Sequence, residues 1–504
     1  MVSVTTKKQS NINNIVDDLF ATPIVPSYLF IPTYKNEPIT YKIIDDKTSD
    51  DDILAMMNNV IASPVASIDT EATGLCPHLN KVRLVQISIL NPVKENYIID
   101  TWKVRNIEDL LNGILTNEKT IKILQNAKYD YKMLKGSFGV TIKGNIFDTM
   151  IAQQIINYHQ KASLEAIAFN WINEKLDKTN QRSDWSKPEL SEDQLLYSVK
   201  DVLLLHDIRD KMRQVLIDEG LVNIARIELN AIKPLAEMEY NGFSINEPDY
   251  LSACSKLELC LSENLKNNKS NEYLKYAKLS SAFGVKFLSQ YLNKKTRNLH
   301  LNIKQISDEY GNIKFYDFNL SDLINTPQLP DFHVNDLINC FQSTNSDETL
   351  MSISFYIVNI DSILNIIRNK RLKMYIDKKG NRETAIMYSL SGRKMCWNGK
   401  KININSKEVH DCLYSVTMND LTKELSYLIY EELVKNKSGD LIGLVNNKIY
   451  LKCNKEKSIE LKEKIKYIIY DLWDNYCNKY GFQNPIIPEV HIINKLSIDN
   501  VNLI

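Results

Sequence analysis

Three strand-forming segments lie close together in the chain and are followed by a long stretch of helical periodicity. The segments at 65–68, 83–90 and 97–100 are rich in apolar and β-branched residues, and Gly74 and Pro77 break the chain between the first two. Helical periodicity extends from 107 to about 219, with one short strand-forming interruption at Ile121–Leu124. Strands first and helices after predict an α/β fold, with a mixed sheet flanked by helices.

The length of 504 residues exceeds what one hydrophobic core usually organises, so we expect two or three domains. Residues 1–45 are polar and punctuated by proline, and we predict that they form a poorly structured or peripheral leader. The first domain is then expected at 46–222, and a second region at 223–504.

The second region begins with an amphipathic helix predicted over 227–240 and ended by Asn241-Gly242. Helical patterns continue from 250 to 380, and another helix is expected from near Met418. The remaining pattern predicts a strand pair around 442–451, a long helix over Ser458–Tyr480 and a last strand at 489–493.

The cysteine content indicates the cellular compartment, whereas the net charge does not identify a binding partner. Lysine plus arginine and aspartate plus glutamate both number 62, so any grip on nucleic acid must be a local patch. The eight cysteines lack zinc-site or disulfide-motif spacing, which indicates reduced thiols. No apolar run approaches about 18 residues, and the N-terminus lacks a signal-peptide core. We expect a cytoplasmic or nucleoid-associated protein with no membrane partner, and the sequence leaves organelle targeting open.

Two carboxylates stand at the end of the first strand-forming segment. Asp69-Thr70-Glu71 directly follows the apolar run, and side chains alternate between faces along a strand, so Asp69 and Glu71 point to one side. In isolation, such a pair is more often a solvated strand end. Here two further acids follow, Asp130 and Asp201, together with Tyr197.

The spacing around Tyr197 and Asp201 is helical. Ser191-Glu192-Asp193-Gln194 has the spacing of a capping box, and the helix that it would open places Tyr197 and Asp201 on one face. Taken alone, they read as a surface pair, and Asp130 as an acid favoured at a helix N-terminus.

Together the four acids predict a nuclease site with two divalent cations, Mg²⁺ or Mn²⁺. Phosphodiester hydrolysis requires an attacking hydroxide and a stabilised leaving oxygen, which two such cations supply. Carboxylates are the ligands that hard cations prefer. Asp69 would bridge the two ions, Glu71 and Asp201 would complete the first, and Asp130 would support the second through water. The phenol of Tyr197 would orient the attacking water.

The motifs Asp-Thr-Glu, Asn126-Ala127-Lys128-Tyr129-Asp130 and Tyr-x-x-x-Asp resemble the exonuclease motifs of the DEDD superfamily, in its tyrosine branch. That branch holds the proofreading domains of family A DNA polymerases and ribonuclease D. Supporting matches are Phe147-Asp148-Thr149-Met150, Ser163-Leu164-Glu165 and the stretch 176–185. The resemblance spans about 65–215 and implies a ribonuclease-H-like fold.

The resemblance also implies nucleic-acid contacts, each with a simpler reading beside it. Leu75 matches the position that wedges against the terminal base, and it could be an ordinary turn hydrophobe. Asn126 and Lys128 match positions near the scissile strand, although Lys128 could be a solvated helix charge. Arg182 and Trp185 would contact the single strand by phosphate pairing and base stacking, although a tryptophan is more often part of the core.

The second region resembles a degenerate, mostly helical family A polymerase, with thumb and palm remnants. The stretch 228–242 is similar to the segment that joins exonuclease to polymerase, and Ser391-Gly392-Arg393 is a further match. The palm-like stretch at 441–451 has Asn447 where a metal-binding aspartate belongs, and His410-Asp411 is a rival placement. Only about 25 residues separate Arg393 from the helix expected near Met418, which is too few to form the fingers that grip a nucleotide.

We therefore predict a 3′-5′ exonuclease that releases nucleoside monophosphates from DNA in replication or repair, with polymerase activity lost. Its partner would be DNA, as single-stranded 3′ ends or primer-template, with RNA an open possibility and protein partners unknown. The alternatives are an exoribonuclease similar to ribonuclease D, and a catalytically weak DNA-binding or interaction protein.

Overall fold

The computed structural model of the protein describes residues 39–176, 183–242, 347–376, 383–398, 406–445 and 447–493. By its internal contacts the chain divides into two compact units. The first comprises Met1–Tyr240, Ile357–Lys435 and Ile468–Ile487, and the second comprises Asn241–Tyr356, Asn436–Tyr467 and Pro488–Ile504. None of the described helices is long and apolar enough to cross a membrane.

A six-stranded sheet forms the centre of the first unit. Strands β2, β3 and β4 are antiparallel neighbours, while β1 with β4, β2 with β5 and β5 with β6 are parallel pairs. The order across the sheet is β1-β4-β3-β2-β5-β6, which confirms the predicted mixed sheet and places β2 in its interior. The strands are β1 (Lys42–Ile44), β2 (Val65–Ala72), β3 (Val82–Ile89), β4 (Glu95–Asp100), β5 (Ile121–Leu124) and β6 (Ile146–Asp148).

Helices pack against this sheet around a continuous apolar core. The longest helix of this part of the chain, α6 (Glu192–Asp218), contacts β2 and β3. The hydroxyl of Ser67 on β2 donates to the carbonyl of Val202 on α6 at 2.7 Å, which ties the helix to the strand. The helices are α1 (Asp50–Ala62), α2 (Ile107–Leu115), α3 (Ala127–Phe138), α4 (Thr149–Ile156), α5 (Leu164–Ile172), α6 (Glu192–Asp218), α7 (Val222–Asn230) and α8 (Ile232–Asn241).

Both expected edges of the first domain differ from the structure. Strand β1 lies inside the segment predicted as a leader, because it pairs with β4 and buries Ile44. The helix expected over 227–240 is two helices, α7 and α8, separated at Ala231. Ile224 and Ile227 of α7 are buried in the same core as the sheet, so the compact unit continues beyond the expected boundary at 222.

The described C-terminal residues mix helices with two small sheets. A three-stranded sheet has the order β10-β9-β8, and a four-stranded sheet has the order β11-β12-β7-β13. The elements are β7 (Glu348–Ile357), α9 (Ile360–Arg371), β8 (Leu372–Ile376), β9 (Glu383–Tyr388), β10 (Lys394–Asn398), α10 (Lys407–Asn436), β11 (Gly439–Val445), β12 (Lys448–Asn454), α11 (Ser458–Tyr480) and β13 (Ile486–Ile493).

Several C-terminal predictions are confirmed and two are corrected. The strand pair, the helix Ser458–Tyr480 and the last strand are present. The helix expected to begin near Met418 begins eleven residues earlier, at Lys407. The described part of 250–380 contains strands β7 and β8 as well as helix α9, because cross-strand pairing decides their conformation rather than local propensity. The rest of the predicted helical stretch, 250–346 and 377–380, lies outside the described residues.

Candidate active site

Strand β2 carries the first two acids. Asp69 and Glu71 are two residues apart on it, opposite Gln86 and Leu84 of β3. Side chains of a strand alternate between its faces, so both carboxylates leave the same side of the sheet, as predicted. The pairing with β3 becomes irregular directly after Glu71, which marks the end of the regular strand at the site.

Helix α3 brings Asp130 to this strand. The side chain of Asp130 is 1% exposed and lies in the first turn of the helix. Thr70 Oγ1 donates a hydrogen bond to Asp130 Oδ1 at 2.6 Å, which joins α3 to β2 between the two strand acids. The sequence motifs did not assign Thr70 a role, although it is the middle residue of Asp-Thr-Glu.

The turn that leads into α3 is held by Asp148. Its carboxylate accepts hydrogen bonds from the backbone N–H groups of Asn126 at 3.2 Å and Ala127 at 2.8 Å. Sequence analysis used Asp148 only as a supporting match. The signal for a capping role was its position before Thr149-Met150, since aspartate is favoured at helix N-caps.

Helix α6 supplies Tyr197 and Asp201. Ser191 and Gln194 form the predicted capping box at its start. The Tyr197 hydroxyl donates to the Asp201 carboxylate, so the two side chains meet on one face of the helix as expected. Within the described residues, Asp201 Oδ1 is buried and has no hydrogen-bond partner.

Burial and mutual repulsion raise the pKa values of these acids. The pKa of Asp69 is raised well above its ordinary value, first by burial and then by the charges of Asp130, Glu71 and Asp201. That of Glu71 is raised in the same way, by burial and then by Asp201 and Asp130. Such coupling requires close approach, so the fold brings together the four acids that the motifs identified.

Hydrogen bonds partly offset the rise in pKa of the other two acids, Asp130 and Asp201. Burial raises the pKa of Asp130 to about 7 against the opposing effect of the bond from Thr70. Burial also raises the pKa of Asp201 to about 7, opposed by the bond from Tyr197. The pKa of Tyr197 itself is raised by burial and then by the charge of Asp201, so its hydroxyl stays protonated at neutral pH.

The chemistry of the cluster fits hard divalent cations. Asp130 and Asp201 are buried, Asp69 and Glu71 are partly buried, and one buried oxygen of Asp201 is unpaired. All four carboxylates have raised pKa values, so the protein alone compensates their charges poorly. An all-oxygen donor set of this kind suits Mg²⁺ or Mn²⁺. In the side-chain positions described, no three His, Cys, Asp or Glu residues are arranged to hold a metal ion.

The residues predicted to contact nucleic acid lie in different environments in the structure. Leu75 is 84% exposed in the loop between β2 and β3, and Asn126 is exposed at the start of α3. Lys128 forms an ion pair with Glu239 of α8. Trp185 is 5% exposed and packs in an apolar cluster with Leu84, so the predicted stacking on a base does not fit its position. Arg182 lies outside the described residues.

The polymerase-like positions lack acids where catalysis would need them. Strand β10, directly after Ser391-Gly392-Arg393, has the sequence Lys-Met-Cys-Trp-Asn and contains no aspartate or glutamate. Asn447 lies at the turn between β11 and β12 with a φ of 61°, as expected for the palm hairpin. The rival pair His410-Asp411 lies near the start of α10, and His410 Nε2 is 2.9 Å from Asp361 Oδ1.

Comparison with known proteins finds similar proteins for the part of the chain that contains these acids. Residues 41–217 match the family model of the 3′-5′ exonuclease domain of A-type DNA polymerases. DNA polymerase I of Aquifex aeolicus is 31% identical over 214 residues, which cover 39% of this chain and 35% of the relative. Ribonuclease D of Desulfotalea psychrophila is 28% identical over 182 residues, which cover 36% of this chain and 48% of the relative. The chain thus spans between a third and a half of the length of these relatives.

A solved structure extends the similarity beyond the exonuclease domain. The POL domain of Pol1 from M. smegmatis, in complex with DNA primer-template and dNTP, matches with a TM-score of 0.60. The match covers 90% of this chain and 99% of that one at 10% identity, so it concerns the fold alone. Residues 41–217 therefore form a 3′-5′ exonuclease domain, and the match over 90% of the chain shows a fold similar to that of a polymerase I domain.

Proposed function

We propose that the exonuclease domain at 41–217 hydrolyses DNA from the 3′ end with two divalent cations and releases nucleoside monophosphates. The observation that carries the proposal is the cluster of Asp69, Glu71, Asp130 and Asp201, of which the last two are buried and all four have raised pKa values. Keeping four acids close enough to repel one another is unfavourable unless cations offset their charge.

Each protein group has a definite task in this proposal. Asp69, Glu71 and Asp201 would hold the cations, with the unpaired Asp201 Oδ1 as a ready ligand. Thr70 holds one oxygen of Asp130 and leaves the other to act through water. The cations, when bound, supply a hydroxide nucleophile and stabilise the leaving oxygen. Tyr197, one helical turn from Asp201, would orient the attacking water.

The fold match to a DNA polymerase domain favours DNA as the substrate. The fold of the chain is that of a POL domain whose solved structure contains primer-template DNA. The missing acids at β10 and Asn447 support a polymerase region that no longer adds nucleotides, because two carboxylates are needed to hold the catalytic cations. Such a protein would act in DNA replication or repair, in the cytoplasm or at the nucleoid.

RNA trimming is the second candidate. The identity of 28% to a ribonuclease D over 182 residues favours it. A third reading, a protein that binds DNA without degrading it, would require the four acids to be inactive.

A degradation assay decides between these functions. Full-length protein is incubated with 3′-labelled single-stranded DNA, duplex DNA or RNA, with Mg²⁺, Mn²⁺ or a chelator. We expect release of labelled mononucleotides from single-stranded DNA, faster than from RNA, and none in chelator. Asp69→Ala and Asp201→Ala should abolish degradation but leave binding intact, because other phosphate contacts persist.

Asp109→Ala, which removes an exposed acid on α2, serves as the control and should keep full activity. Faster degradation of RNA would support the second candidate. Binding without degradation, or equal rates in the Asp69→Ala variant, would exclude the proposed catalytic site.

A further inference from the structure

The carboxylate of Asp148 is shared between two helix starts. It is 1% exposed and accepts four backbone N–H groups. Two of them, from Met150 at 2.8 Å and Ile151 at 3.3 Å, belong to α4, for which Asp148 is the N-cap. The other two, from Asn126 and Ala127, belong to the start of α3.

Helix α3 has no cap of its own. Its N-cap residue, Asn126, makes no side-chain capping bond and has a φ of 63°, in the left-handed region that few residues adopt. Asp148, at the end of β6, supplies the missing cap, because its Oδ2 accepts a hydrogen bond from the Ala127 N–H at 2.8 Å. The N-terminal ends of α3 and α4 both direct their positive dipoles towards this one carboxylate.

The neighbouring Thr149 holds the same turn from the other side. Its side chain is fully buried, and its hydroxyl lies 3.3 Å from the carbonyl oxygen of Leu124, at the end of β5. It also contacts the amide oxygen of Gln125. Asp148 and Thr149 thus fix the chain on both sides of Asn126, the residue that opens α3.

The turn fixed in this way carries Asp130. That residue lies in the first turn of α3, and its carboxylate must meet Thr70 and the strand acids. If Asp148 served only to cap α4, bonds from Met150 and Ile151 would be sufficient. The two additional bonds reach the helix that bears a catalytic acid, and catalytic groups tolerate little displacement.

We propose that Asp148 is a positioning residue of the exonuclease site, which caps α3 in place of Asn126 and thereby sets the position of Asp130. This inference rests on the proposed function. It assigns to Asp148 an effect on cation binding and turnover, in addition to its effect on stability.

The test compares Asp148→Asn with Asp100→Asn in the full-length protein. Asp100 is a matched control because it is also a buried carboxylate of the same sheet, bonded to Arg83 and to the backbone N–H of Trp102. Both variants should lower Tm. We expect Asp148→Asn alone to lower kcat on single-stranded DNA by about 10- to 100-fold, the usual effect of losing a group that orients a metal ligand, with KM changed less than about threefold.

A second readout does not depend on activity. Mn²⁺ should raise the Tm of the wild-type protein and of Asp100→Asn, and the Mn²⁺ concentration at half effect should rise about tenfold in Asp148→Asn. If the wild-type protein degrades no substrate, the proposed function fails, and this Mn²⁺ titration still tests the positioning role.

Thr149→Val covers the case in which Asp148→Asn does not fold. It is nearly isosteric and removes only the hydroxyl that holds the Leu124 turn, so we expect a smaller loss of kcat, about threefold or more, again with KM unchanged. Loss of stability with normal kcat and a normal Mn²⁺ response, in Asp148→Asn or failing that in Thr149→Val, would overturn the proposal.

Discussion

The hydroxyl of Thr70 donates a 2.6 Å hydrogen bond to the carboxylate of Asp130, and both side chains are buried. The bond joins the strand that carries two of the acids to the helix that carries the third. It also favours the ionised carboxylate, which lowers the pKa of Asp130 against the effect of burial. Thr70 is therefore placed to influence both the geometry and the protonation of the site.

Thr70→Val should shift the pH dependence of degradation. Valine keeps the shape but removes the donor, so the pKa of Asp130 should rise above its value of about 7. Each tenfold shift in acidity corresponds to about 1.4 kcal/mol of lost interaction. We expect the acidic limb of the kcat/KM profile, measured with Mn²⁺, to move to higher pH. Thr70→Ser retains the hydroxyl and should follow the wild-type profile, whereas coinciding profiles for all three proteins would contradict this role.

Tyr197→Phe should reduce turnover while the fold is kept. The ring remains in place, but the hydroxyl that bonds Asp201 and would orient water is lost. A loss of about 10²-fold in kcat is expected, at the low end for a positioned proton or water contact. Tyr41→Phe is the control, since Tyr41 packs at the edge of an apolar cluster. Equal rates for both variants would remove Tyr197 from the mechanism.

The ion pair of Lys128 with Glu239 makes the predicted nucleic-acid contact testable. Lys128 and Lys132 both pair with Glu239 of α8, and all three side chains are partly exposed, so a phosphate could compete for the lysines. Glu239→Gln should then increase affinity for single-stranded DNA, measured in chelator, by about threefold, the size of an exposed ion pair. The dependence on salt should also become steeper, because more counterions are released.

Glu463→Gln is the matched control, because it removes an exposed acid that pairs with Lys466 within α11. Unchanged affinity in Glu239→Gln would mean that Lys128 joins α3 to α8 and does not contact nucleic acid.

Primer extension should fail even when degradation is removed. The variant Asp201→Ala protects a primer from the exonuclease, so any synthesis by the polymerase-like region would be visible. We expect none, since β10 lacks an acid and Asn447 occupies the palm hairpin. A neutral amide holds Mg²⁺ poorly. Template-dependent incorporation of dNTPs would contradict this expectation. His410-Asp411 would then become the candidate for the metal-binding motif of the palm.

The sequence predicted the site best where local rules decide the structure. The apolar run before Asp69, the capping box at Ser191 and the strand pair around 442–451 each depend on neighbouring residues, and the structure agrees with all three. The motif resemblance supplied Asp130, which no local pattern would have joined to β2.

The features that the sequence did not predict depend on contacts between distant residues. Strand β1 has only three residues and exists through its pairing with β4. Trp185 is buried because Leu84 and Val199 provide a pocket, and a single aromatic residue does not reveal its neighbours. The shared cap at Asp148 joins residues 21 or more positions apart, which lies beyond any helix-capping rule.

Divalent cations should stabilise the protein more at high pH than at low pH. The pKa values of Asp130 and Asp201 are raised from 3.8 to about 7, so their protonated forms favour the folded state. In chelator, that stability is fully present below about pH 4 and is lost as the pH rises through 7. Mn²⁺ requires the ionised carboxylates and should oppose the loss, adding about 2.7 kcal/mol at 100 times its Kd. Thermal unfolding with and without Mn²⁺ at pH 5.5 and 8 measures the effect. Asp201→Asn, which removes one ionisable ligand, should show a smaller Mn²⁺ effect at pH 8, and an equal response at both pH values in the wild-type protein would argue against cations at these acids.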